Sequence, residues 1–569
     1  MITYIVVNKR KNIGKRGSIL YAMRKRFRWT ALLMAFVMII AVGCQSVGSV
    51  DLNRVLMSNF DFQSMEGKYT MELELMMDDM TAAMLGFEAE ELDLLRKVRL
   101  ELHELKQENP FTASAAGSLH IAGTEIPFEM YVSSSQIVVS VDGIRRPIMM
   151  DDAVTNPMIA ELLEMMSISY EEYQENYLQA MKAFAGYVVP NLPNPDTIGF
   201  SRELISINGE NVFTTHVHSV IHGDELIPFV QKLLKQLAED EEGLREALEV
   251  IYDLMVPFVE RAIEKLQEDM GMIDNESAAV IRLLESYLHN KTLVVEFLAT
   301  TITYGLTEAM NQLDATEEQV NGLREQGFHL LNDSSYLAFD LYVEDFEKLR
   351  RFDFEIFLQP TTEMPLPVNA GIRLYASQEY WNINDKPVKA DVIDTSDAIV
   401  LDESFHETII LSEIDPESAL GQLLIAHGLN KRQFTVILEE PAAESETGES
   451  EFLDWYGGWY GKAPFIQDGR AMVSAYWLAD KLGLEWDLDW DEEDNEIIFY
   501  TDPVTGRTLT VTGGSSIAVL DGEEVQMDTA AVERGYTLYV PLRFVAESFG
   551  AEVTYDAETR TITVTRQLF

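Results

Sequence analysis

Cysteine is nearly absent from this chain, which carries a single one, Cys44, among 569 residues. One thiol excludes a disulfide within the chain and any metal site built from several cysteines. Basic side chains are also scarce, since 43 Lys and Arg stand against 95 Asp and Glu, for a formal net charge of −52. A chain this acidic is repelled by the phosphates of nucleic acids, so we expect no nucleic-acid partner.

Local catalytic motifs are lacking as well. The sequence has no G-x-S-x-G, no H-E-x-x-H, no P-loop and no G-x-G-x-x-G following a strand. A site assembled from residues far apart in sequence leaves no such motif. The lack of local patterns therefore predicts that the chain is not an enzyme and uses no cofactor.

The N-terminal residues 1–43 read as a targeting segment. They contain nine Lys or Arg and no acidic residue, and the basic stretch 24–28 precedes an apolar run at 29–42. That run is shorter than the roughly 20 residues that span a bilayer, and it has the length of a signal sequence. Translation from Met23 instead of Met1 would keep the basic stretch 24–28 and the apolar run, so residues 1–22 add nothing to the signal.

Cys44 directly follows this run, after Ala41, Val42 and Gly43. Small residues before a lone cysteine resemble the lipobox of bacterial lipoproteins, which implies that Cys44 carries acyl chains. The membrane would then be a partner through Cys44, and the protein would lie on the extracellular face of the cell membrane. The alternative is a thiol placed by chance in a signal anchor.

Three regions follow the signal, with a large domain at 44–438, an acidic linker at 439–460 and a compact domain at 461–569. The linker begins with Glu, Ser, Gly and Pro and shows no periodicity over its acidic stretch. Within the large domain, alternation of polar and apolar residues predicts half-buried antiparallel strands. These strands are predicted at 68–77, 125–141, 211–221, 336–343 and 352–358.

Helical periodicity predicts a helical insertion at about 225–330 of the large domain, with Phe229, Leu233 and Leu237 on one helix face. Pro257 is expected to break a helix, and Thr316 with Gln319 to begin one as a capping box. The fold class is therefore α+β, a large antiparallel sheet with a helical insertion. With strands in one sheet and helices laid against one face, the region resembles the bacterial lipoprotein carriers, whose half-barrels hold acyl chains.

Three histidines, His216, His218 and His222, lie at even spacings in a predicted strand and so share one face. Imidazole groups at such spacing suit zinc or copper. The alternative, which the pattern favours, is an ordinary strand with the histidines in solvent and Phe213, Val217 and Ile221 toward the core. The three remain weak candidates for metal ligands.

The C-terminal domain contains an internal repeat. Residues 472–500 repeat residues 539–565, since Val473, Ala479 and Gly483 match Val540, Ala546 and Gly550 at an offset of 67. Each copy predicts a strand, a short helix ended by glycine, and a hairpin. Between the copies, residues 507–527 predict two strands joined by an Asp-Gly turn.

The second copy, "YVPLRFVAESFGAEV" at 539–553, resembles the copper amine oxidase N-terminal-like domain, also called the stalk domain. The first copy departs from the family pattern, because Ser474 and Ala475 replace its Pro-Leu pair. The resemblance implies a surface protein of a Gram-positive bacterium and a domain without copper or quinone, whose motif serves packing. It implies adhesion or spacing at the cell envelope.

These observations favour a non-catalytic, lipid-anchored protein of the cell envelope with a binding or scaffold role. Its partners would be the membrane and a cell-wall polymer or surface protein. A carrier of a lipid or other apolar ligand is the alternative, and an apolar cavity in the large domain would favour it. A hydrolytic or metal-binding protein centred on His216 and His218 is a third hypothesis, which a pocket of converging histidines and carboxylates would favour.

Overall fold

The computed structural model describes 51–58, 60, 62–84, 89–151, 169–269, 286–325, 327–329, 331–345, 348–362, 370–401, 408–438, 464–534 and 537–569. The predicted signal at 1–43, the lipidation residue Cys44 and the predicted linker at 439–460 lie outside these residues. No helix of the described residues is long and apolar enough to cross a membrane.

The described chain forms two compact units, each with its own core. The large unit comprises the described residues of 51–141 and 147–401, and the C-terminal unit those of 142–146 and 408–569. Residues 142–146 group with the C-terminal unit, where Ile144 forms an isolated bridge with Ile414.

A twelve-stranded sheet dominates the large unit. Its order is β14-β6-β5-β4-β3-β2-β1-β13-β11-β10-β8-β7, and it is open, since β14 and β7 lie at opposite ends. All pairings are antiparallel except that of β6 with β14. The strands of the unit are β1 (Met65–Met77), β2 (Lys97–Asn109), β3 (Thr112–Ile121), β4 (Thr124–Val132), β5 (Gln136–Val141), β6 (Ile148–Asp151), β7 (Thr197–Ile207), β8 (Glu210–His222), β9 (Phe328–His329), β10 (Tyr336–Glu344), β11 (Lys348–Leu358), β12 (Thr361–Thr362), β13 (Ala370–Trp381) and β14 (Ile399–Leu401).

Helices cover one face of this sheet, and apolar side chains fill the space between the helices and the sheet. Leu233 at 0% exposure and Leu341 at 1% belong to the same apolar cluster, one from a helix and one from β10. The Tyr187 hydroxyl, on α4, donates to the carbonyl oxygen of Leu237, on α5, at 2.5 Å. The helices of the unit are α1 (Leu52–Ser58), α2 (Asp79–Met84), α3 (Ala89–Arg96), α4 (Tyr170–Val188), α5 (Leu226–Glu239), α6 (Glu241–Asp269) and α7 (Lys291–Glu325), with a 3-10 turn at Val189–Asn191.

The structure confirms the predicted α+β class, the antiparallel sheet and the helical insertion. Two predicted helix boundaries are wrong. Pro257 lies inside the continuous helix α6, where buried neighbours such as Phe258 offset the roughly 3 kcal/mol that an interior proline costs. Thr316 lies inside α7, and its hydroxyl donates to the carbonyl oxygen of Gln312 at 2.8 Å instead of capping a helix.

The expectation that Phe213 faces the core is also wrong, since its side chain is 75% exposed. Phe213 shares a face with the buried Val217 and Ile221, so the alternation along β8 is as expected. It lies opposite Leu204 of the edge strand β7, which is itself 53% exposed. The apolar layer that buries Val217 thus leaves this end of the hairpin in solvent.

The C-terminal unit is built from small sheets around short helices. Three strands pair as β15-β26-β25, four as β16-β17-β24-β23 and five as β18-β19-β20-β21-β22. Its helices are α8 (Thr408–Ser412), α9 (Ala419–Ala426), α10 (Ala475–Leu482) and α11 (Leu542–Ser548). Its strands are β15 (Lys431–Ile437), β16 (Phe465–Gln467), β17 (Arg470–Ser474), β18 (Glu485–Trp490), β19 (Glu496–Thr501), β20 (Thr508–Thr512), β21 (Ile517–Leu520), β22 (Glu523–Gln526), β23 (Val532–Glu533), β24 (Leu538–Pro541), β25 (Glu552–Asp556) and β26 (Thr561–Gln567).

The sequence repeat is a structural repeat. Both copies run strand, helix, glycine and hairpin, and their first strands β17 and β24 pair antiparallel with Val473 opposite Val540. Because equivalent residues of the two copies face each other in an antiparallel pair, a local two-fold axis relates these strands. Residues 507–527 hold three strands, β20, β21 and β22, instead of the predicted two, with the Asp521-Gly522 turn between the last two, and β23 follows before the second copy.

Equivalent glycines end the two repeat helices in the left-handed region, with φ of 72° at Gly483 and 74° at Gly550. In each copy the residue after the glycine donates its N–H back to the helix. Leu484 reaches the carbonyl oxygen of Ala479 at 2.9 Å, and Ala551 reaches that of Ala546 at 3.0 Å. These bonds satisfy carbonyl groups that a helix end leaves unpaired.

The C-terminal unit also contains sequence that was predicted to belong to the large domain. Strand β15 pairs along its length with β26, from Lys431 opposite Gln567 to Ile437 opposite Thr561. The side chains of Val436 and Leu438 belong to the core of the C-terminal unit. A boundary at residue 438 therefore separates β15 from the sheet to which it belongs.

A buried carboxyl group lies in the same unit. Glu496 is 7% exposed, and its backbone N–H donates to Oε1 of Glu533 at 2.7 Å. Burial, together with the negative charge of Glu533, raises the pKa of Glu496 from 4.5 to about 7. The group is neutral in the folded protein over a range of pH in which the unfolded chain ionises it.

We expect Gly483→Ala to destabilise the C-terminal unit more than Gly550→Ala. Either substitution places a residue with a Cβ at positive φ, which costs about 1 kcal/mol. At Gly483 the new Cβ would also lie 2.7 Å from Cζ of Arg432, whereas at Gly550 it meets nothing within 4 Å. Urea unfolding of both variants, followed by tryptophan fluorescence, measures the difference. Equal losses of unfolding free energy in the two variants would show that the Arg432 side chain moves away from the new Cβ at no cost.

We expect Glu496→Gln to stabilise the C-terminal unit at pH 8 and to have no such effect at pH 4.5. The raised pKa makes ionisation of Glu496 oppose folding as the pH rises from 4.5 through about 7. Removing the charge should then gain about 1–3 kcal/mol at pH 8. Urea titrations at both pH values provide the measurement, with the exposed Glu523→Gln as the matched control. A gain that is the same at both pH values contradicts this assignment.

Candidate functional site

The face of the large sheet opposite the helices is polar, and we call it the polar face. One row of it crosses five neighbouring strands, with His218 on β8, Asp340 on β10, Asp353 on β11, Ser377 on β13 and Thr70 on β1. Side chains alternate between the two faces of a strand. The residues next to this row in sequence therefore point to the other face, where apolar side chains pack under the helices.

Ion pairs link neighbouring strands along the polar face. Arg373 of β13 contacts Glu355 of β11 at 2.9 Å, and Lys97 of β2 contacts Glu72 of β1 at 3.0 Å. Arg373 holds the pKa of Glu355 below its usual value, against the effect of partial burial. Opposite charges on neighbouring strands stabilise a sheet, and each of these pairs joins a basic side chain to an acidic one.

A cluster of four ionisable side chains occupies the β7-β8-β10 end of this face. Nε2 of His216 lies 2.5 Å from Oδ1 of Asp340, and Nδ1 of His218 lies 2.7 Å from the same oxygen. Nδ1 of His216 lies 2.9 Å from Oε1 of Glu203. Potential ligand atoms of His216, His218 and Asp340 all lie within 4.8 Å of one another.

His222 does not join this cluster. It lies at the end of β8 opposite Tyr336, four residues beyond His218, which is a distance of about 13 Å along a strand. Its side chain is exposed, and its backbone N–H donates to Oε2 of Glu225. The predicted shared face is correct for all three histidines, but the expected three-histidine site is not formed.

The protonation of His216 is constrained by its two carboxylate neighbours. A neutral imidazole has one N–H, so it can donate to Glu203 or to Asp340 but not to both. Ionised carboxylates only accept hydrogen bonds. When its proton is on Nδ1, His216 donates to Glu203 and its Nε2 lone pair faces Asp340.

Neighbouring aromatic and basic groups fix the orientation of His216. Its ring stacks on Tyr342 with centroids 4.5 Å apart and planes 4° from parallel. The guanidinium carbon of Arg351 lies 5.4 Å from the centre of the same tyrosine ring. Arg351 donates to Asp353 at 2.9 Å, and so does the hydroxyl of Ser377 at 2.5 Å. The imidazole ring is therefore held in one plane on the sheet.

Two pKa shifts follow from these contacts. The hydroxyl of Ser201, donating at 2.8 Å, and then His216 hold the pKa of Glu203 below its usual value. Glu203 thus stays an ionised acceptor for Nδ1 of His216. Burial, followed by the charges of Asp353 and Asp340, raises the pKa of Tyr342 to about 12, so the ring that stacks on His216 stays uncharged at neutral pH.

Sequence reasoning found two members of this cluster and missed the others. Asp340 lies 122 residues from His218 and Glu203 lies 13 residues from His216. Asp340 was visible as a polar residue in the alternating stretch "YLAFDLYV". Only the register of β8 with β7 and β10 brings Asp340 and Glu203 to the histidines.

Among the exposed apolar side chains described in the large unit, two groups lie where a partner or ligand could bind. Phe200, Leu204 and Phe213 form what we call the edge patch, on one face of the β7-β8 hairpin, with exposures of 54%, 53% and 75%. A second surface lies at the start of α7, where Leu293 and Phe297 help to line an open cleft of about 890 Å³.

Comparison with known proteins identifies the C-terminal region. Residues 460–564 match the family described as the copper amine oxidase N-terminal domain. No curated protein and no solved structure matches the chain. This match supports the stalk-domain part of the sequence interpretation at residues 460–564.

Proposed function

We propose that this chain is a non-catalytic protein of the bacterial cell envelope, anchored in the membrane by a lipid on Cys44, with a binding or scaffold role on the extracellular face. Three features support the anchor, namely the basic stretch 24–28, the apolar run 29–42 and the position of the only cysteine directly after it. An acyl chain holds a protein to a membrane without a spanning helix.

The observation that carries the binding role is the edge patch. Proteins usually protect an edge strand with charge, with a bulge or with a covering element. Here β7 ends the sheet, and Phe200, Leu204 and Phe213 stand exposed on one face of its hairpin. Three neighbouring apolar side chains on so acidic a chain favour an apolar partner surface, such as that of another envelope protein.

The C-terminal unit supports a spacing or attachment role. Its family match is to the N-terminal domain of copper amine oxidases. The motif of its second copy supplies core residues, since Val540, Leu542, Val545 and Ala546 are all buried. Its side chains are thus used for packing, and a wall polymer or surface protein would bind elsewhere on the unit.

A carrier of a lipid or other apolar ligand is the second candidate, and the cleft at the start of α7 favours it. Phe297 is 69% exposed and Leu293 is 45% exposed, and both line the cleft. Its volume of about 890 Å³ lies within the range of small-molecule sites. Against this candidate, the core between the sheet and helices is filled by side chains such as Leu233 and Leu341.

Cys44→Ser should release the protein from the membrane. Without a thiol no acyl chain can be attached, and the remaining apolar run is too short to span a bilayer securely. Labelling with a radioactive fatty acid and separation of membrane and soluble fractions, in a Gram-positive host, measure the effect. Ser46→Ala is the matched control, because it changes a neighbouring side chain and leaves the thiol. A Cys44→Ser protein that stays labelled and membrane-bound contradicts the anchor.

Native mass spectrometry of the chain from Gln45, purified gently from a bacterial host, separates the two candidates. Added mass that organic extraction removes and identifies as lipid supports the carrier, and Phe297→Ser should then reduce it. Leu323→Ser is the matched control, since it alters an exposed leucine on the same helix outside the cleft. A bare polypeptide mass contradicts the carrier and leaves the binding or scaffold role.

A further inference from the structure

We propose that His216, His218 and Asp340 bind a divalent transition-metal ion such as Zn²⁺ on the polar face of the large sheet. The ligand atoms would be Nε2 of His216, Nδ1 of His218 and Oδ1 of Asp340. This site goes beyond the proposed envelope role and does not depend on it.

The donor set fits the chemistry of such an ion. Two imidazole nitrogens and one carboxylate oxygen are a common ligand combination for zinc, which binds them at about 2.0–2.2 Å. A tetrahedral site of those bond lengths separates its ligand atoms by about 3.3 Å. The nitrogen atoms of His216 and His218 now lie 2.5 and 2.7 Å from Oδ1 of Asp340, so less than 1 Å of opening is needed.

The local structure allows that opening. His218 is the most exposed of the three, with 45% of its side chain in solvent, whereas His216 is 17% exposed and fixed against Tyr342. Rotation of the exposed His218 side chain can therefore admit the ion. Asp340, with 25% of its side chain in solvent, can turn its carboxylate away from Nε2 of the fixed His216 ring by the remaining distance.

Glu203 provides the second argument. A histidine that binds a metal usually donates its other ring N–H to a carboxylate, which fixes its tautomer and orientation. Glu203 stands 2.9 Å from Nδ1 of His216 and is itself held by the hydroxyl of Ser201. With the proton on Nδ1, the lone pair of Nε2 points toward Asp340, where the cation would lie.

The three ligands leave a fourth position of a tetrahedral ion open. Asp340 and His218 are partly exposed, so water or a ligand with a donor atom can reach that position. Structural zinc sites are usually closed by four protein ligands, whereas a site with three ligands keeps a place for an exchangeable group. The bound ion would thus be reachable from solvent.

Zinc titration of the chain from Gln45, freed of metal by dialysis against a chelator, tests the site. Isothermal calorimetry in competition with a chromophoric chelator should show one zinc bound per chain. His218→Gln and Asp340→Asn should each weaken this binding at least about tenfold, and Glu203→Gln by about 10–100-fold. Circular dichroism checks that each variant keeps its fold.

His222→Gln is the matched control, because it removes an exposed histidine of the same strand that lies outside the cluster. Its zinc affinity should equal that of the unaltered chain. Equal zinc uptake by all variants would mean diffuse binding to the many carboxylates and would overturn the proposal. Failure to take up one equivalent of zinc would also overturn it.

Discussion

The pairing of charge across the polar face is the constraint on which the large unit depends. Asp340 and Asp353 stand directly opposite each other on β10 and β11, where two unpaired negative charges would repel. Each has its own partners, since Asp353 accepts from Arg351 and Ser377 while Asp340 contacts ring nitrogens of His216 and His218. The histidine cluster therefore reduces the repulsion between Asp340 and Asp353 and allows β10 and β11 to pair. It also holds metal-binding groups in a fixed geometry.

The opposite face of the same strands meets a different requirement. Apolar residues that alternate with the charged ones, such as Phe339 and Leu341, must be covered, and the helices of the insertion cover them. The cover is incomplete at the edge patch and along the start of α7, where Phe213 and Phe297 remain exposed. These uncovered surfaces connect the architecture to the proposed binding role, because exposed apolar area gains free energy when a partner or ligand covers it.

The C-terminal unit uses repetition to form its core. Two copies of one strand-helix-hairpin motif meet where Val473 pairs with Val540, and side chains of both copies form one shared core. Each copy therefore helps to bury the helix of the other copy. Left-handed glycines let both helices end sharply and turn into their hairpins. The motif that identifies the family is thus a packing motif, and the segment 431–437 completes the sheet of the second copy.

The sequence by itself determined the α+β class, most strands, the repeat and the stalk-domain family, because these depend on periodicity and turn residues that are local along the chain. It also determined that His216 and His218 share a face. Tertiary structure decided which residues complete their cluster, since strand register brings Asp340 across 122 residues and separates His222 from both. It likewise decided that Pro257 stays within a helix and that β15 joins the C-terminal unit, because packing between distant segments outweighs local preference there.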